Sequence, residues 1–354
     1  MEQNLILNKL RDKYNEKRKD INDLEKFLNK YSPWTEEVKE KLSKEFIEAL
    51  ENGNDFSWLK VDEDIYDGLK ESNGKDLSID YGIPSHIRGD IDKGTLFLCL
   101  VNPNIDTRVA MSEALKAKKS KNYEYISDYI INTDSKGGIF YMELENLFSN
   151  KCEDPGYYLS EYFNPILSAY SQNKDTKSTI DSVDKLCKIL KNEKLREQYQ
   201  QEIQDIKEMS SKIVNLESFP FRSSTPGFAT KEEDSDNRFA NKLVSSDSDV
   251  SLLSSRVIIC KIVDYLSNKN KTKPVFIFRR FDRAWKPSIK KVLEKDLEYG
   301  DEEINDIINE LHNEFFLTIG YKNNDNVSKM SKKLRKNNVL IEKDFDSIIG
   351  ESLA

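Results

Sequence analysis

A chain of 354 residues, 37% hydrophobic and 33% charged, can bury a sizeable core, and no run nears the ~18 consecutive apolar residues that a membrane span needs. Its 63 acidic residues outnumber 55 basic ones, and the net charge of −8 weighs against a dedicated nucleic-acid binder, whose non-specific affinity comes from neutralising phosphates. Cys99, Cys152, Cys187 and Cys260 stand singly and no basic-then-apolar leader opens the chain, so no metal or other cofactor, no membrane partner and a cytoplasmic location are expected.

Residues 1–52 read as helices. Leu7, Leu10, Tyr14, Ile21, Leu24 and Leu28 recur near helical spacing, Ser32-Pro33 punctuates, and Thr35-Glu36-Glu37 opens a further helix. Such an arm either packs on a core or offers a coiled-coil face to a protein partner. Residues 55–94 are mixed and rich in turn formers, ending in Pro84-Ser85-His86-Ile87-Arg88-Gly89-Asp90. Residues 95–101 (Thr-Leu-Phe-Leu-Cys-Leu-Val) then form an unbroken apolar run, the pattern of a strand buried on both faces of a parallel sheet. Asn102-Pro103-Asn104-Ile105-Asp106 breaks off its carboxyl end, where an open α/β sheet places its ligand crevice. The alternative is an Asn-Pro turn that only ends the strand.

Residues 107–132 read as helical and basic, and Gly137-Gly138-Ile139-Phe140-Tyr141-Met142 as an aromatic loop or short strand. Helices are expected over 158–171 and, as one long element with a core-type stripe, over 176–211. The segment Ile213-Val214-Asn215-Leu216-Glu217-Ser218-Phe219-Pro220-Phe221-Arg222-Ser223-Ser224 repeats the style of the first junction: apolar strand, Asn, Pro-containing loop. Residues 229–251 are polar, a mobile loop or an ordered flap. A helix over 254–266, a strand over 274–278 opening into Arg279-Arg280-Phe281-Asp282-Arg283, helices within 287–313 and a strand over 315–319 complete the pattern.

The expected fold is α/β: a parallel-type central sheet sandwiched by helices, with an α-helical N-terminal region (1–88) and a core (89–354) carrying a helical insertion over 158–211. Parallel strands deliver their carboxyl ends to one edge, so Asn102, Asp106 and Asn215 are expected to line one pocket. The basic cluster Arg279, Arg280, Arg283, Lys286, Lys290 and Lys291 is either a DNA-binding patch, with Arg280 and Arg283 on phosphates, or a solvated helix face. No phosphate-loop or G-x-S-x-G signature is present.

The order strand-Asn102-Pro103, strand-Asn215 with its Pro-Phe-Arg-Ser loop, strand-Arg279-Arg280 and strand-Tyr321 resembles the uracil-DNA glycosylase superfamily, in particular its mismatch-specific uracil/thymine glycosylases. The resemblance covers roughly residues 90–330 and implies a DNA N-glycosylase without cofactor, acting on a flipped base. It implies that Asn102 positions the attacking water and that Asn215 reads the base edge. Val101 and Asn104 replace the glycines that flank the family's Asn-Pro, and the final motif lacks a histidine, so a departing base anion would rely on Asn or backbone donors.

On chemical grounds Asp106 is the candidate general base or sugar-cation stabiliser, and otherwise a helix cap. Phe140, Tyr141, Phe219 or Phe221 are candidate stacking partners for the base, and otherwise core. Arg222, Ser223 and Ser224 are candidate phosphate contacts. The substrate considered is a modified base in foreign, for instance phage, DNA. The alternatives are a catalytically inactive nucleic-acid or nucleotide sensor of the same fold, as in antiviral defence, and an unrelated nucleotide hydrolase or interaction protein.

Overall fold

The computed structural model describes residues 3–21, 23–70, 82–103, 107–121, 123–149, 154–173, 175, 178–222, 239–319, 334–336, 339–340 and 345–354. Its centre is one sheet of eight strands: β1 (Ile87–Arg88), β2 (Leu96–Leu100), β3 (Ile131–Asn132), β4 (Ile213–Glu217), β5 (Val275–Arg279), β6 (Phe316–Ile319), β7 (Leu334–Lys336) and β8 (Val339–Leu340). They lie in the order β3-β1-β4-β2-β5-β6-β7-β8. Strands β4, β2, β5 and β6 are mutually parallel, β1 is antiparallel to β4, and β7 and β8 return antiparallel. The fold is therefore α/β with a mostly parallel sheet. Both β2 and β5 lie inside it, as their unbroken apolar runs predict.

From β2 the chain runs out to β3 at the sheet edge, returns to β4 on one side of β2 and later reaches β5 on the other. That reversal is a topological switch point, and it opens at the carboxyl ends of β2, β4 and β5.

Period-two alternation sorts the strand side chains into two cores. Phe97, Cys99, Val214, Leu216, Phe276, Phe278 and Phe316 pack with the N-terminal helices Gln3–Lys17, Leu24–Tyr31 and Glu36–Asn52 and with the helix Asp249–Ser267. Leu96, Leu98, Leu100, Ile213, Ile277 and Leu317 pack with the helices Ile139–Phe148, Asn164–Gln172, Val183–Leu190, Gln200–Ser210 and Phe345–Leu353. Thr35 caps the helix Glu36–Asn52 by accepting from the Val38 amide, and Gly53, at φ 70°, ends it in the left-handed conformation a Cβ would disfavour.

Several expectations are corrected. Residues 139–148 are a helix, because Phe140, Leu144 and Leu147 recur at helical spacing and face the core. The stretch expected as one long helix is three, Val183–Leu190, Glu193–Gln198 and Gln200–Ser210, since Ser182 and Asn192 each cap a new start. The polar segment 229–251 is helical over Phe239–Ser245, and the next helix begins at Asp249 with Ser248 as its cap. Residues 107–132 are two helices, Thr107–Ser120 and Tyr123–Ile130, followed by β3. Strand β1 falls within the region read as helical. Among the described residues no helix is long and apolar enough to cross a membrane.

Three short π-helical segments interrupt the α-helices: Leu159–Phe163, Phe281–Trp285 and Val292–Asp296. The first two adjoin the carboxyl edge of the sheet through their neighbours, as shown below.

Candidate functional site

On β4 the residues Ile213, Asn215 and Glu217 share a face, opposite Val214 and Leu216. Asn215 is paired in register with Leu98 on one side and Arg88 on the other, and Glu217 with Leu100. The apolar floor of that face thus turns polar towards the switch point. Arg279, the last residue of β5, continues the change two residues beyond Ile277.

Asn215 is 1% exposed, and neither its Oδ1 nor its Nδ2 meets a hydrogen-bond partner. Glu217 is 3% exposed with Oε2 unpartnered. Burying an amide or carboxyl without partners costs about 1–3 kcal/mol per group in proteins, so such groups need explaining. Burial drives the Glu217 carboxyl well above the usual carboxylate range, against the opposing pull of Arg279 and Arg222. The strand end itself is fixed: the Glu217 amide donates to His86 O at 2.9 Å, and Ser254 Oγ donates to Glu217 O at 2.7 Å. Ser218 Oγ donates to Ala284 O at 2.8 Å, tying the end of β4 to the π segment Phe281–Trp285.

A tyrosine cluster covers this edge. Tyr158 stacks on Tyr162 at 5.9 Å, and the exposed Tyr157 meets both edge-on, at 5.4 and 6.0 Å. Burial and then the Glu217 charge hold the Tyr158 hydroxyl well above its ordinary value. The segment is held from below by Glu143, which accepts from the amides of Tyr158 (3.2 Å) and Leu159 (2.8 Å). Burial pushes that carboxyl up to about 7, with the two amides pulling the other way. A Cβ on Gly156 would sit 2.3 Å from the Glu143 carboxyl carbon, so a larger residue there would have to push that carboxyl aside.

The loops after β2 and β4 are stitched together. The amides of Ser218 and Phe219 donate to Leu100 O and Val101 O, and Asn102 Nδ2 donates to Phe221 O (3.0 Å) and Pro103 O (3.3 Å). Asn102 is half-buried beside Phe221 and Arg222, whereas Asn215 is the middle residue of β4 and lies deeper. Asp106 and Ser223 lie outside the described residues.

The other expected site residues are dispersed. Phe140 and Phe219 are fully buried, and Phe140 stacks on Phe163 at 5.4 Å. Tyr141 faces Lys207, whose Nζ is 5.3 Å from its ring. Phe221 is buried in the core. Arg222 is also buried, its Nε donating to Ile83 O at 2.7 Å and Nη2 to Tyr129 Oη at 3.2 Å. Arg280 sits half-buried at the end of β5 with φ 53°, a strained conformation for a side chain with a Cβ. Arg283 is exposed, and the basic run beyond it is partly neutralised: Lys291 pairs with Asp247 at 2.6 Å.

Sequence reasoning missed Glu217, Arg88 and Tyr158, and placed Arg279 only in the basic cluster after β5. Glu217 had a signal, since an Asn and a Glu two apart in an apolar strand must share one face. Among the described residues no group of three or more His, Cys, Asp or Glu is placed to hold a metal ion. Comparison with family models, with curated proteins and with solved structures gave no match.

Proposed function

We propose that this chain is a DNA-glycosylase-like hydrolase that takes a base into the polar end of the sheet and breaks its N-glycosidic bond. One observation carries the reading: Asn215 Oδ1 and Nδ2 and Glu217 Oε2 are buried and unpartnered side by side on one sheet face. A carboxamide presents an adjacent acceptor and donor, the complement of a nucleobase edge, and a neutral carboxyl presents the same pair. Neutral Glu217 would donate to an oxygen or nitrogen of the base as the C1′–N bond breaks and its electron pair moves onto the ring. The sugar is left oxocarbenium-like and is captured by water, which a pocket can promote by placement alone. Asn102, held at the switch point by its donation to Phe221 O and Pro103 O, would help to place that water.

The test is abasic-site formation on single- and double-stranded DNA carrying uracil, mismatched thymine and a panel of modified bases. Wild type is expected to cleave at least one, and Asn215→Ala, Glu217→Gln and Asn102→Ala to lose about tenfold or more each, the scale of one charge-assisted or catalytic hydrogen bond. No abasic sites on any substrate would sink the enzymatic reading.

A second reading, a sensor that binds without cleaving, draws support from Asn102. Its amide clamps two loops together, a structural duty that needs no water. Base-dependent binding with intact DNA recovered would favour it.

A further inference from the structure

Four large hydrophobic side chains stand exposed among the described residues, Leu5, Leu115, Met142 and Tyr157, and of these only Tyr157 is aromatic. It is 53% exposed, yet it is fixed in place. Tyr158 and Tyr162 meet its ring at steep interplanar angles of 86° and 72°, and among the described residues no ring lies parallel to it. Burial and then the Tyr157 phenol hold the Tyr162 hydroxyl well above its ordinary value, so the two phenols lie against each other. The backbone is held as firmly. Tyr157 opens a helical turn directly after Gly156, which has no side chain with which to cap it. The Glu143 carboxyl does that from another helix, accepting the amides of Tyr158 and Leu159.

Ordering an exposed ring loses side-chain entropy and removes little of the ring from water, so the fold gains little by it. A ring that receives a flat partner gains more, because the ordering precedes binding and does not weaken it. The place of the cluster gives that partner a destination. The Glu217 charge bears on both Tyr158 and Tyr162, and Arg279 bears on Tyr162, so Tyr157 is the outermost ring of a series that leads from solvent to the polar end of the sheet.

Charge and shape together select what lies on such a ring. With a net charge of −8 the chain is a poor neutraliser of phosphates, whereas every base offers an aromatic ring a flat face. In a duplex both faces of a base are covered by its neighbours; in a single strand they are free. We propose that Tyr157 is the platform on which an unpaired base stacks, so that the site takes a single strand of DNA in preference to a duplex. That the strand is DNA, with one base drawn in towards Asn215, rests on the reading above; that Tyr157 receives a flat ring does not.

The full chain is titrated calorimetrically with one short oligonucleotide as a single strand, as a duplex, and as a strand of abasic spacers of the same length, each at low and at high salt. The single strand should bind about tenfold or more tighter than the other two, with a salt dependence equivalent to about one or two phosphate contacts. Tyr157→Leu keeps an apolar side chain without the ring and should weaken single-strand binding by about five- to a hundredfold, the effect of losing one base–aromatic stack. Tyr157→Phe should bind like wild type. Equal affinity for strand and spacer, tighter binding of the duplex, or a Leu variant that binds like wild type overturns the platform, and the first two arms need no variant to fold. The two readings fail separately. Ring-dependent binding with all DNA recovered intact removes base cleavage alone; abasic sites formed equally well by wild type and Tyr157→Leu, on strand and duplex alike, remove the platform alone.

Discussion

The two faces of the central sheet are built from the same strands and end differently. On the face towards the N-terminal helices, Phe97 stacks on Phe276 at 4.7 Å, and Phe278 meets Phe316 edge-on at 4.7 Å and Trp285 at 5.4 Å. That face stays apolar to the carboxyl end of β5. On the other, Leu98, Ile277 and Ile213 give way within two residues to Asn215, Glu217 and Arg279. A face that only holds the fold together has no reason to change polarity where the sheet is still buried. The change marks a place where something other than packing is being served.

The sharpest way to break that comparison is to truncate one residue on each side. Phe278→Ala should cost about 3–5 kcal/mol in urea unfolding, as for other buried aromatics. Glu217→Gln should cost little near neutral pH. If the two variants are equally destabilised, the polar end is structural.

Acid titration extends the apolar side to β1. Burial pushes the His86 imidazole down to about 3, with Nδ1 accepting from Trp34 Nε1 at 3.0 Å. A histidine whose folded value is depressed gives stability that is full above its ordinary value and fades as pH falls. Wild type should therefore lose on the order of 4 kcal/mol between about pH 6.5 and 3. His86→Gln, which keeps an acceptor for Trp34 and cannot titrate, should flatten that limb; a parallel acid limb in the variant would refute the assignment.

On the polar face the sign reverses. Glu217 is raised by burial, so its contribution to stability is present in acid and lost as pH climbs through its folded value. Asn215→Leu, which removes two unpartnered amide atoms, should leave stability unchanged or raise it by about 1–2 kcal/mol while abolishing base-dependent binding. A loss of several kcal/mol would mean that the amide has a structural partner.

The smallest expected effect is at Arg280. Glycine tolerates φ 53°, so Arg280→Gly should stabilise by about 1 kcal/mol, read as a shifted urea midpoint. Destabilisation would show that the arginine side chain does more for the fold than its backbone costs.

The interior strands β2 and β5 were legible because a parallel strand covered on both sides leaves an unbroken apolar run, and β4 because its Ile213-Val214 start repeats the junction after β2. Strand β1 was not, since two residues carry no period and Ile87–Arg88 owes its conformation to pairing with β4 and β3. The helix Ile139–Phe148 was hidden by Gly137-Gly138, which read as loop, although Gly138 stands at its N-cap. Within the site, Asn102 and Asn215 announced themselves by position. Glu217 was passed over because Asn215 was read as the end of its strand, when it is the middle. Arg88 lay in a stretch that looked like turns, and only the strand register shows that it faces Asn215.

The π segment Leu159–Phe163 has a consequence for how this protein tolerates change in length. A π turn is an α-helix holding one surplus residue between fixed neighbours. It separates Tyr157 and Tyr158 from the helix Asn164–Gln172, whose Ile166 and Leu167 are anchored in the core. Removing one residue from the segment would restore regular winding and swing the preceding tyrosines by about 100° around the helix axis, the turn per residue of an α-helix. Ile166 and Leu167 would keep their places in the core while the tyrosines departed from the edge they cover. Deleting Ser160, the exposed residue of the segment, should therefore silence the site, and sequences descended from this one should conserve the length of this segment more strictly than its composition.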